Sequence, residues 1–167
     1  MKRMFVVGAS IVAIMSVSAT AKPTKPMSHG AAFVADAMKG DNAEVAMGKL
    51  AIERGASPDV KAYGQMLVTD HGAHKAKLVA IGAKLGVRDT AAVPAEAPGA
   101  MAHLKGLSGA AFDAAFATHM VADHKKDIAK YRAEAASKDN AELKALATAT
   151  LPTLNKHLAA AQALTQK

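Results

Sequence analysis

Apolar residues recur along this chain at alternating intervals of three and four residues, which is the pattern of amphipathic helices. Glycine, proline, serine and asparagine interrupt the pattern and predict where the helices begin and end. The pattern predicts four helices and one long connection: the helices cover about residues 31–54, 58–85, 108–136 and 140–166, and the connection covers 87–107. Pro152 predicts an interruption or a kink in the fourth helix, because proline has no N–H to donate.

The residues between the helices predict how the helices are arranged. Gly55 ends the first helix, and Ser57 and Pro58 start the second after a turn so short that the two helices must be antiparallel. Residues 137–139 join the third and fourth helices in the same way. The long connection is compatible with a crossover along the bundle, as in ferritin-like folds. We therefore expect an all-α domain over residues 31–166, a four-helix bundle of two antiparallel pairs joined by a long connection.

Composition supports helices and excludes thiol chemistry. Aromatic residues make up 4% of the 167 residues, and tryptophan is absent, whereas helix-favouring alanine, leucine, methionine and lysine are frequent. Because the chain has no cysteine, disulfides, thiolate metal sites and a cysteine nucleophile are excluded. The net charge of +7 is not gathered into basic clusters interleaved with aromatic residues, so we do not expect nucleic acid as a partner.

The first 21 residues have the layout of a secretory signal peptide. Two basic residues precede the apolar run Phe5–Val17, and the small-residue sequence Ala19-Thr20-Ala21 follows it. Cleavage after Ala21 would start the mature chain at Lys22, and residues 22–30 would form a flexible tail. The alternative is an uncleaved membrane anchor, although the run is shorter than the roughly 20 residues of a spanning helix. After cleavage we expect no transmembrane segment and an exported protein, located in the periplasm or outside the cell.

Each predicted helix carries an ionisable residue near the middle of its apolar face. These residues are Glu44, His71, His124 and His157. A buried charge without a partner is costly, so a bundle core would favour leucine at such positions. With a rise of about 1.5 Å per residue, all four positions fall in the middle third of the bundle. The four side chains are therefore expected to converge on one point.

One carboxylate and three imidazoles form a plausible ligand set for zinc, iron, copper or manganese. We assign Glu44, His71, His124 and His157 as the candidate metal ligands. Further candidates, either as ligands or as groups that orient a ligand, are His74, Asp70, Asp123 and, more weakly, His119. Each aspartate directly precedes a histidine on its helix, so it is expected to orient a histidine of a neighbouring helix. The alternative is a metal-free network of buried Glu–His and Asp–His hydrogen bonds that fixes the helix register.

Several of these residues also carry a family resemblance. The pairs Asp70-His71 and Asp123-His124 and the stretch Leu151-Pro152-Thr153-Leu154 followed by His157 resemble the ferritin-like bacterial envelope family DUF4142, often labelled predicted outer membrane protein. The resemblance covers about residues 30–165 and implies a four-helix ferritin-like fold and an exported location, but no activity. The di-iron relatives of ferritin carry Glu-x-x-His on two helices. That pattern is absent from every helix predicted in this sequence, which argues against a standard di-iron oxidase.

Three classes of function fit these observations. The first is an exported helical bundle that binds a transition metal for metal handling or envelope stress protection. The second is a metal-free structural or interaction module with a protein partner in the cell envelope. The third is a redox enzyme, which would need an open coordination position at the histidine-rich site. The sequence contains no serine-type triad, phosphate-binding loop or paired-carboxylate hydrolase site.

Overall fold

A computed structural model describes residues 26–88 and 90–166; the predicted signal peptide lies outside the described residues. The described part is entirely helical, with no strand, which confirms the all-α class. The helices are α1 His29–Arg54, α2 Pro58–Lys84, α3 Ala97–Lys105, α4 Gly109–Ala136 and α5 Ala141–Leu164. Within those residues, no helix combines the length and apolar character that crossing a membrane requires.

Side-chain caps explain three of the helix starts. The Oγ of Ser28 accepts a hydrogen bond from the N–H of Ala31 at 3.3 Å, and the Oγ of Ser57 accepts one from Val60 at 3.2 Å. Asn140 caps α5 in the same way, by accepting from the N–H three residues further on at 3.1 Å. Each cap satisfies a backbone donor that the first helical turn leaves without a partner. The predicted cap at Ser57 is thus confirmed.

Three details differ from the sequence prediction. Helix α1 begins at His29, two residues before the predicted start. The predicted connection over 87–107 contains α3, because Pro98 lies in its first turn, where proline needs no N–H partner and favours a helix. Of the two alternatives predicted at Pro152, the interruption is wrong, since α5 continues through it, and the kink stays a prediction. Leu143 and Leu154, buried on either side of the proline, keep both halves of α5 packed against the other helices.

Around the bundle, the four long helices follow the order α1, α2, α5, α4, and α4 in turn contacts α1. At one end, the N–H groups of Ala56 and Ser57 donate to the carboxylate of Asp113 at 2.9 and 2.8 Å, so α4 begins beside the turn between α1 and α2. At the other end, Lys84 in the last turn of α2 pairs with Glu142 in the first turn of α5 at 2.8 Å. The segment between α2 and α4 therefore runs the length of the helices.

This crossing segment is held against α1 by two side chains. The Nδ2 of Asn42 donates to the carbonyl oxygens of Thr90 at 3.0 Å and Ala92 at 2.6 Å. Further along, the guanidinium of Arg54 donates to the carbonyl of Lys105 at 2.8 Å. These bonds satisfy backbone carbonyls that a segment without regular structure would otherwise leave to solvent.

Helices α1 and α2 come into backbone contact where two glycines face each other. A Cβ added at Gly64 would lie 2.6 Å from the carbonyl oxygen of Gly48, and one added at Gly48 would lie 2.7 Å from that of Gly64. No side chain fits at either position, so glycine is required there for steric reasons. This contact brings the buried faces of α1 and α2 together, and Glu44 lies one turn away from it along α1.

Apolar side chains fill the space toward both ends of the long helices. One cluster lies toward the turn between α1 and α2 and includes Met47, Leu67 and Phe116. Two further clusters lie toward the opposite end and include Leu78 and Leu154. The buried side chains between these apolar layers are ionisable, and they form the candidate site.

Candidate metal centre

The structure brings together the four ionisable residues predicted to converge. Glu44, His71, His124 and His157 come from α1, α2, α4 and α5, and each is at most 4% exposed. One oxygen of Glu44 lies 2.9 Å from His71 Nδ1, and the other lies 3.4 Å from His124 Nε2. The Nε2 of His124 is 3.2 Å from His157 Nδ1. The three histidines present ligand atoms within 4.8 Å of one another, so this buried group could hold a metal ion.

In His124 and in His157, the ring nitrogen that faces away from the cluster forms a hydrogen bond. The Nδ1–H of His124 donates to the carbonyl oxygen of Met120 at 3.0 Å. A carbonyl oxygen can only accept, so this nitrogen must carry the proton. The Nε2–H of His157 donates to the carboxylate of Asp70 at 2.8 Å. In the neutral form of each ring, the inner nitrogen therefore carries a lone pair directed at the cluster.

The ring of His157 is neutral at physiological pH. Burial lowers its pKa most, the hydrogen bond to Asp70 opposes that effect, and electrostatic interactions with the neighbouring imidazoles of His71 and His124 add to the lowering. The resulting pKa is about 4. His157 therefore presents a lone pair without first losing a proton at pH 7.

His71, by contrast, is protonated at neutral pH. Its Nδ1 lies 2.9 Å from Asp41 Oδ1, to which it donates, and 2.9 Å from Glu44 Oε2. Burial would lower the pKa of His71, but the adjacent carboxylates of Glu44 and Asp41 raise it to about 10. Its other nitrogen, Nε2, is buried and has no hydrogen-bond partner among the described residues.

Glu44 is an ionised carboxylate in a fully buried position. Burial would raise its pKa, but the close contact and positive charge of His71, together with His124 and His157, lower it to about 2. Since the Nδ1–H of His71 donates to Asp41, the contact with Glu44 is an ion pair. Neither oxygen of Glu44 accepts a hydrogen bond from any residue in the described ranges. A buried carboxylate without hydrogen bonds is costly and is expected to serve another purpose.

The sequence analysis missed Asp41, which is 3% exposed and bridges two histidines. Its second oxygen accepts from His74 Nδ1 at 2.8 Å, while the first accepts from His71. The hydroxyl of Tyr131 then donates to His74 Nε2 at 3.3 Å. The spacing contained a usable signal: Asp41 lies three residues before Glu44 and thus on the same face of α1.

Of the four additional candidates, two are linked to the cluster by hydrogen bonds within the described residues and two are not. Asp70, on α2, orients His157 of α5, as expected of an aspartate that reaches a neighbouring helix. His74 contacts the cluster through Asp41. Asp123 is partly buried, and its pKa is raised by burial and by the negative charge of Glu44, but it forms no hydrogen bond with a histidine in the part of the chain described. His119 is directed elsewhere and lines a surface groove between α3 and α4.

A narrow cavity adjoins one side of the cluster. Its volume of about 30 Å³ has room for about two water molecules, and both His71 and His157 form part of its wall. At its outer part, Lys130 Nζ lies 2.7 Å from Asp36 and 3.9 Å from Asp127. Burial and the charges of Glu44 and Asp123 raise the pKa of Asp127 to about 8. The cavity therefore connects the buried histidines with a charged patch at the surface.

Comparison with known proteins gives a family match without a characterised relative. The family model described as "Domain of unknown function (DUF4142)" matches residues 15–164. No curated protein and no solved structure matches the chain. The match confirms the resemblance to DUF4142.

Proposed function

We propose that this chain, which belongs to the DUF4142 family, is an exported helical protein that binds one transition-metal ion between its four long helices. The ligands in this proposal are Glu44, His71, His124 and His157. Supply or storage of metal in the cell envelope, or protection of the envelope from metal-driven stress, would follow from such a site. Two buried groups of ligand atoms that share His71 support the proposal: one contains His71, His124 and His157, and the other contains Asp41, Glu44 and His71.

One observation carries it. His124 Nε2 and His157 Nδ1 face each other at 3.2 Å, and both rings use their other N–H on an outer acceptor. When neither of these two nitrogens carries a proton, the two lone pairs repel each other at this distance unless a metal cation lies between them. Histidines that bind metals almost always donate their second N–H to a carbonyl or carboxylate, which is the arrangement here. Donor atoms bound to a tetrahedral metal at about 2.0–2.1 Å lie about 3.3 Å apart, close to the observed separation.

Glu44 and His71 complete the donor set. The Glu44 carboxylate is ionised; its Oε2 pairs with His71, whereas its Oε1 accepts no hydrogen bond from the described residues and is available to a metal beside His124. His71 can keep its Nδ1–H on Asp41 and coordinate through Nε2, which has no partner there. A set of imidazoles and one carboxylate suits zinc, iron, manganese or copper, and the chain has no thiolate to compete.

A second candidate function is a metal-free structural or interaction module of the cell envelope. The ion pairs of His71 with Asp41 and Glu44 favour it, because they balance charges without any metal. In this alternative a proton on His124 Nε2 would take the place of the metal and donate to His157 Nδ1. Such a network would fix the helix register, and the function would lie on the protein surface.

Metal affinity measured against pH separates these two functions. Because the pKa of His71 is about 10, the metal must displace the Nε2 proton at neutral pH, whereas Glu44 and His157 need no deprotonation. We expect one zinc ion per chain and a Kd that falls about tenfold for each pH unit between about pH 6 and 9. Competition against a chromophoric chelator measures this. His119→Ala should give the same curve, and absence of binding at pH 8 would favour the metal-free module.

Export and the ferritin-type arrangement belong to the same proposal. The layout of residues 1–21 supports export, and the segment that crosses from the end of α2 to the start of α4 supports a ferritin-type connection. We expect N-terminal sequencing of the protein from the periplasm or medium to begin at Lys22. A membrane-bound form that retains Met1 would contradict cleavage and release.

A further inference from the structure

The cavity beside the cluster has a charged outer rim and an inner wall that includes two of the proposed ligands. We propose that it is the path by which a free divalent cation reaches the site, and that Lys130 closes it when no cation is passing. This inference rests on the proposed metal site. It adds that the metal arrives as a free divalent cation and that Lys130 controls its access to the site.

Lys130 lies at the surface end of this path. Its Nζ forms an ion pair with Asp36 of α1 at 2.7 Å, and the side chains of Lys130 and Asp36 are 51% and 53% exposed. Asp127, one turn before Lys130 on α4, lies 3.9 Å away and is only 16% exposed. An exposed ion pair contributes about 1 kcal/mol or less, so the lysine can leave its position readily. A divalent cation that replaces it would be attracted by the carboxylate of Asp36.

The inner wall suits a cation as well. Asp41 and Asp70 line it with their carboxylates, and His71, His74 and His157 line it with imidazole rings. The volume of about 30 Å³, which is room for about two water molecules, admits an ion that has lost most of its hydration shell, but not a metal bound to an organic chelator. The chemistry of the wall and its width therefore both select a free divalent cation.

On the opposite side of the cluster, the ring of Tyr63 stands between the histidine rings and a surface groove that Tyr63 also lines. There the rings of His124 and His157 lie beside Tyr63, with centroids 6.5 Å apart in each case. Phe116 packs edge-on against Tyr63 at 5.9 Å and belongs to an apolar layer of fully buried side chains. A hydrated ion would have to cross that apolar layer, which is costly.

Stopped-flow mixing with zinc alone tests the path, because it separates the rate of binding from the affinity. Lys130→Gln should raise the association rate about fivefold, since it removes the closing charge. Lys49→Gln removes the same charge from an exposed position on α1 and should leave the rate within twofold of wild type.

Gly40 lines the cavity, and a Cβ there would lie 4.0 Å from its nearest neighbour, Asp127 Oδ2. Gly40→Leu should therefore fold, fill the cavity and lower the association rate at least tenfold.

Gly40→Ala tests whether slower zinc binding arises from the narrowed cavity and not from a folding defect. It should raise the melting temperature, because alanine favours a helix more than glycine does, and yet slow association. Equilibrium affinity should stay within about threefold of wild type in all these variants. If the wild type binds zinc but none of the cavity variants changes the rate, the path is wrong and the metal site stands. If the wild type binds no zinc, both proposals fail.

Discussion

Zinc should raise the melting temperature of the wild-type protein by about 10 °C at a free concentration near a thousand times its Kd. An ion that binds only the folded state adds about 4 kcal/mol under these conditions, and 1 kcal/mol shifts a domain of this size by about 2–4 °C. His124→Ala removes one ligand and should abolish most of the gain. Thermal unfolding of both proteins, each with zinc and with chelator, measures the difference.

The matched control is His119→Ala, which removes a histidine from the same helix but outside the cluster. It should retain the full zinc-dependent gain. In chelator, His124→Ala should itself be destabilised by about 1–3 kcal/mol, because the carbonyl of Met120 and the ring of His157 lose their partner. If His124→Ala keeps the zinc-dependent gain of the wild type, the ligand assignment is wrong.

Gly64→Ala should destabilise the metal-free protein by about 3 kcal/mol. The new Cβ would lie 2.6 Å from the carbonyl oxygen of Gly48 and 3.0 Å from the Cβ of Ala51. The first is a backbone atom, so α1 and α2 would have to move apart along their whole contact, which is the most expensive form of overpacking. Chemical denaturation in the presence of chelator measures the loss.

Gly72 provides the control on the same helix. A Cβ there would meet no atom within 4 Å, so Gly72→Ala should stabilise the protein by about 0.5–1 kcal/mol through helix propensity alone. The two substitutions are chemically identical and should differ in sign. A loss below about 0.5 kcal/mol for Gly64→Ala would show that the helices are not in backbone contact at this point.

Much of the helical framework follows from local sequence signals. The cap at Ser57 and the stop at Gly55 reflect backbone geometry that depends on a few adjacent residues. The convergence of Glu44 and His157 could also be predicted, because helical rise fixes the height of each residue once the turns are placed. Caps, stops and helical rise are properties of single helices, and one sequence is enough to derive them.

The features that were missed depend on contacts between helices. Asp41 gains its role from His71 and His74 of α2, and the sequence of α1 indicates only that it shares a face with Glu44. Continuation of α5 through Pro152 depends on packing against the other helices, which overrides the local preference. The cavity and its closure by Lys130 likewise exist only when α1 and α4 lie side by side.

Anomalous X-ray diffraction from crystals of the protein, purified from cells that produce it naturally and without added metal, tests the central claim most directly. Data collected on both sides of the absorption edges of zinc, iron, copper and manganese identify the element as well as its position. We predict one anomalous peak within about 2.0–2.2 Å of His124 Nε2, His157 Nδ1 and an oxygen of Glu44. Well-ordered density for these three side chains, with no anomalous peak among them at any edge, would contradict the metal site.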